Sequence, residues 1–90
     1  MNRQDVLAEA SCLIDGPREE RYGDFEENHE RIGIIWGAIL GTEPIPSHLV
    51  ALCMVGVKLS RATVTPEHQD NYVDAIAYLA GAAEIVTRSE

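Results

Sequence analysis

Ninety residues allow one small domain, 1–90, with a single core, near the size at which the buried fraction only just suffices. Fifteen Asp and Glu against seven Lys and Arg give a net charge of −8. A chain this acidic gains nothing from counterion release on DNA or RNA, so direct nucleic-acid binding is disfavoured, as is an anionic membrane surface.

The first predicted helix runs from about Arg3 to Ile14, with Val6, Leu7, Ala10, Leu13 and Ile14 at helical spacing. Asp15-Gly16-Pro17 stops it, since Gly suits a C-cap and Pro cannot continue the ladder. A polar connector, Arg18 to Gly23, follows. Asp24 is the expected N-cap of the second helix, with Glu27 three residues on as in a capping box. That helix is polar through Arg31, apolar from Ile32 to Leu40 around Trp36, and ends at Gly41.

The third helix is expected from Pro46 or Ser47 to about Ala62. Its run Leu49 to Leu59 is apolar nearly all round, which predicts a central helix covered on most sides. Thr65 is the expected cap of the fourth helix, with Pro66 at its first position and Glu67 in its first turn. It runs to about Arg88, and Ala75, Ala77, Ala80, Gly81, Ala82 and Ala83 give it a small surface suited to a dimer seam. No segment alternates strictly, so the prediction is all-α: a compact bundle of four helices, paired as a homodimer because small chains often gain burial that way. Cys12 and Cys53 form no CxxC pair and are expected to be buried, reduced thiols. No basic start with a long apolar stretch marks a signal peptide, and the apolar runs fall short of the ~20 residues of a spanning helix. The expected location is the cytoplasm of a host cell, with no membrane partner.

Several ionisable residues stand where a helical core would not require them. Glu27 and Glu30 share one face of the second helix, and Asp70 and Asp74 one face of the fourth. Hard oxygen donors so placed suit Mg²⁺, which keeps several waters and bridges phosphates. Acids at a helix start also offset the dipole, which accounts for Glu27 and Glu30 without a metal. Asp74 precedes an apolar stretch, so it must be paired, protonated or metal-bound. Its partner is either a metal ion or a cation, Lys58 or Arg61. Those two close the third helix one turn apart, where they clamp phosphate oxygens or reach to solvent. Arg21 is a further phosphate contact. Tyr22, with its ring face and hydroxyl, is a candidate for seating a base or sugar, together with Asn28, His29 and Asn71. A lone His such as His29 is otherwise a surface or capping residue. There is no nucleophile–base arrangement, zinc signature or glycine-rich phosphate loop.

These residues carry a resemblance. The pattern Arg21-Tyr22-Gly23-Asp24, Glu27-Asn28-His29, Ile32 and Trp36 resembles a family of small phage and prophage proteins with no assigned activity. The pattern continues through Val50-Ala51-Leu52-Cys53-Met54, Lys58, Arg61, Asp70-Asn71-Tyr72-Val73-Asp74 and Tyr78. A second resemblance is to all-α nucleoside triphosphate pyrophosphatases of the MazG and dUTPase-like kind, which bind Mg²⁺ through E-x-x-E and E-x-x-D and split the α–β phosphate bond. Glu27-Asn28-His29-Glu30 matches the first element. Asn71-Tyr72-Val73-Asp74 matches the second with Asn for its leading Glu, and a whole helix is inserted between the two.

The resulting expectation is a small phage-derived nucleotide-binding protein. If it hydrolyses its ligand, Glu27 and Glu30 are catalytic, Mg²⁺ lies on Glu27, Glu30, Asp70 and Asp74, and Lys58, Arg61 and Arg21 neutralise phosphate. The alternative is a non-enzymatic anti-defence protein. It would sequester a nucleotide signal, or block a host defence protein through its acidic stretch Asp15–Glu30, which holds seven acids. A structural accessory protein with no ligand is the third possibility.

Overall fold

The computed structural model describes residues 1–14 and 24–88. Within them lie four helices, α1 (Arg3–Ile14), α2 (Phe25–Leu40), α3 (Ser47–Val64) and α4 (Gln69–Arg88), and no strand. The fold is all-α, as the apolar periodicity predicts. The expected stop at Asp15-Gly16-Pro17 and the connector to Gly23 lie outside the described residues.

Local chemistry sets the ends. Asn2 and Asp5 satisfy each other's backbone N–H at the start of α1, the Asp5 carboxylate accepting at 3.0 Å and the Asn2 amide oxygen at 2.9 Å. Asp24 precedes α2 but makes no side-chain cap bond, so the expected capping box is not formed there. Gly41 ends α2 in the left-handed region at φ 72, where a side chain would be strained. The chain then folds back along α2. Ile45 N–H donates to the Gly33 carbonyl at 3.1 Å, and a Cβ at Gly33 or Gly37 would collide with the Ile45 or Glu43 carbonyl.

α4 begins at Gln69, three residues later than the predicted Pro66. Thr65 to His68 instead form a turn, His68 N–H donating to the Thr65 carbonyl at 3.1 Å, and the Tyr72 hydroxyl donates to the Pro66 carbonyl at 2.6 Å. Proline suits the second position of such a turn as well as the first of a helix, and here the turn prevails.

α4 is the hub. α3 packs along it most extensively, α1 packs on it too, and α2 lies mainly on α3. The core is built of small and β-branched side chains: Ala10, Val50, Ala51, Val55, Val73, Ala75, Ala82 and Ile85. Two expectations change. Among the described residues α3 is covered on one face only, leaving Leu49, Leu52 and Leu59 exposed. Of the small residues of α4, Ala75 and Ala82 lie in the core and Gly81 packs against the Phe25 ring, whereas Ala80 and Ala83 are exposed. Cys12 and Cys53 are free but exposed, not buried. By length and composition α3 is also apolar enough to cross a membrane, with mean hydropathy 1.2 over 18 residues.

Candidate functional site

The helix positions that bury Val55 and Val73 also bring together two opposite charges. Lys58 Nζ and Asp74 Oδ2 stand 3.0 Å apart, joining α3 to α4, with side chains 14% and 18% exposed. Of the two cations expected near Asp74, Lys58 is the one that meets it. Arg61, one turn on, is exposed.

Asp74 also lines an open cleft of about 440 Å³ between α1 and α4. Asp70, Val73 and Asp74 form one wall at i, i+3 and i+4, and Glu9, Cys12 and Leu13 form the other at the same spacing. The cleft is thus acidic at three positions and apolar between them. Glu9 was missed by sequence reasoning. The available signal was its place on the same α1 face as Leu13, itself part of the apolar stripe.

Glu27 and Glu30 do not line this cleft; both are exposed on α2. The four carboxylates expected around one metal ion do not converge. Among the described residues, no group of three or more His, Cys, Asp or Glu side chains is placed to hold a metal. The physical reason is that α4 meets α2 near Phe25, His29, Tyr78 and Gly81, well along the helix from Asp70.

The residues expected at a base or sugar divide three ways. His29 is 3% exposed, stacked on Phe25 at 3.9 Å between ring centroids and edge-on to Tyr78 at 5.8 Å. Its Nδ1–H donates to the Phe25 carbonyl at 2.8 Å, and its buried Nε2 has no partner among the described residues. Burial holds the imidazole below its ordinary pKa, against an opposing pull from the Phe25 carbonyl. His29 is therefore a core residue and not the surface or capping residue its polarity suggested. Asn71 is likewise buried, at 5% exposure, because α4 turns it inward with Val73 and Ala75. Asn28 is half-buried and its amide oxygen accepts from Arg31 at 3.4 Å. Arg21 and Tyr22 lie outside the described residues. A separate ion pair, Glu26 with Arg88 at 2.8 Å, ties the start of α2 to the end of α4.

Comparison with known proteins supports the phage resemblance. Residues 5–86 match the model of a domain of unknown function, DUF6378. The chain is 42% identical over 74 residues to the Gene 55 protein of Mycobacterium phage L5, covering 81% of this chain and 47% of that protein. It is 35% identical over 81 residues to the Gene 55 protein of Mycobacterium phage D29, covering 90% of this chain and 52% of that one. It thus spans about half the length of the curated relatives it matches. No solved structure matches. The pyrophosphatase resemblance has no counterpart in the names of this family or these two relatives. On the strength of a match over nearly its whole length, the chain belongs to the DUF6378 family.

Proposed function

We propose that this protein is a small nucleotide-binding protein that takes its ligand as the Mg²⁺ complex in the cleft between α1 and α4, without hydrolysing it. The observation that carries this reading is the lining of that cleft: Glu9, Asp70 and Asp74 around an apolar patch of Cys12, Leu13 and Val73. Three carboxylates repel bare phosphate, so a phosphate ligand needs a cation between. Mg²⁺ is commonly held by one or two carboxylates, with phosphates and water completing its shell, so it does not require three converging acids. Asp70 is the more exposed ligand, 4.0 Å from the His68 ring, whereas Asp74 shares its charge with Lys58 at 3.0 Å. The Lys58 ammonium beside Asp74 offsets part of the phosphate charge, and the apolar patch offers a face to a base. Binding without turnover fits the second role expected from the sequence, sequestration of a nucleotide signal.

Calorimetry with a panel of standard and modified nucleoside triphosphates, with Mg²⁺ or EDTA, tests the reading. Binding should require the metal and weaken at least tenfold in Asp70→Asn, a change at an exposed side chain that leaves the core untouched. A parallel assay should detect no pyrophosphate release. Metal-independent binding, or none across the panel, refutes the proposal. Turnover abolished by Glu30→Gln would make the protein an enzyme acting through α2.

A further inference from the structure

α1 is held to the rest of the chain differently from the other helices. The Lys58–Asp74 ion pair ties α3 to α4, and Glu26 with Arg88 ties α2 to α4. Among the described residues no hydrogen bond or ion pair links α1 to another helix, and the side chains of Asn2 and Asp5 bond only each other's backbone. Its apolar hold is small as well. Ala10 is its one buried residue, Val6 and Leu13 are half-buried, and Leu7 and Ile14 are 57% and 45% exposed. Burying a methyl group contributes much less than burying a whole Val or Leu side chain, and segments with few buried apolar contacts are the ones that open locally.

Charge across the cleft works against docking. Glu9 lies on the α1 wall, and Asp70 and Asp74 lie on the α4 wall. Asp74 has Lys58 at 3.0 Å, but Asp70 has only the exposed His68 ring at 4.0 Å. The one cation of α1, Arg3, stands nearly two turns before Glu9. Like charges facing each other over a small gap repel, and α1 carries nothing at the cleft to offset this.

We propose that α1 is a releasable strap, sprung by the repulsion of Glu9 from Asp70 and Asp74, which lifts off α4 while α2, α3 and α4 stay folded. Twelve residues are marginal as an isolated helix, so α1 loses its backbone hydrogen bonds when it lifts. Charge in the cleft sets the balance: screening closes the strap, and low ionic strength opens it. The device needs no ligand and does not depend on the nucleotide reading.

Hydrogen exchange read by mass spectrometry tests this on the unliganded full chain at pH 7.5, in 10 mM and 500 mM NaCl. Relative to intrinsic rates, amides from Leu7 to Ile14 should exchange about tenfold or more faster than those of α3 and α4 at low salt. High salt should slow them about threefold. Glu9→Lys, a change at an exposed position, should reverse the sign, with α1 better protected at low salt and less protected when salt weakens the new attraction. Glu43→Lys alters net charge equally at an exposed position on the 41–46 segment, and should leave the α1 response as it is in the unmodified protein. Exchange of α1 at the rate of α4 overturns the proposal, since the helix would then open only with the whole chain. A salt response unchanged by Glu9→Lys, or a reversal reproduced by Glu43→Lys, overturns it as well.

Discussion

Lys58 and Asp74 hold α3 and α4 together by a contact of 3.0 Å in which both charged groups are largely withdrawn from water. Removing one member leaves the other's charge stranded. Asp74→Ala should cost about 3 kcal/mol, read as a fall in melting temperature of more than 10 °C. The double change Lys58→Met with Asp74→Leu should recover most of that loss, since a packed apolar pair replaces a buried ion pair at little cost. A double variant no more stable than Asp74→Ala would assign the role to something other than the pair.

Glu26 and Arg88 make the contrasting case. Their side chains are 29% and 47% exposed, and Arg88 also pairs with Glu84. Burial contributes little here, so Glu26→Ala should cost no more than about 1 kcal/mol, and added salt should shrink that difference. Equal losses for Glu26→Ala and Asp74→Ala in a urea titration would contradict the distinction.

Gly33→Ala should destabilise by about 2 kcal/mol, because the new methyl meets the Ile45 carbonyl, backbone that a rotamer change cannot clear. The Ile45 amide bonded to the Gly33 carbonyl should then exchange faster with deuterium. Full stability in the alanine variant would show that the 41–46 segment does not need to lie against α2.

His29 links stability to pH. Its imidazole is held below the ordinary value of 6.5 in the folded chain, mainly by burial. The unfolded chain therefore binds the proton more readily, and the stabilising effect of the neutral ring is complete above about pH 6.5. It is lost as pH falls from there towards the lowered folded value. Melting temperature should decline between pH 7.5 and 5, and His29→Gln should flatten that slope. An unchanged slope in the variant would place the sensitivity elsewhere.

Periodicity made the four helices legible, because the apolar stripes of α1 to α4 repeat at helical spacing whatever they face. Which stripe meets which was not legible. The run from Leu49 to Leu59 reads the same whether one face or every face of it is covered, so nothing in it reveals that α4 and not α3 is the hub. At the start of α4 two local preferences of Pro66 competed, and the turn prevailed with the Tyr72 hydroxyl on its carbonyl. The site was legible in part. Spacing found the face of Asp70 and Asp74 and the alternatives for Asp74, but nothing in sequence brings Glu9 across to them. His29 was read as polar and outward, yet its ring is flanked by Phe25 and Tyr78, which lie on different helices.

The pairing of α1 with α4 has a consequence for birth of the protein on the ribosome. α1 is made before its partner α4, with more than fifty residues of synthesis between them. At translation speeds of about 5–20 residues per second, α1 waits several seconds without the surface it rests on. The α2–α3 hairpin, stitched locally at Gly33, has all its parts in the meantime. Of these four helices the one made earliest is thus the last to find its place, and the cleft it lines cannot form until α4 has been made.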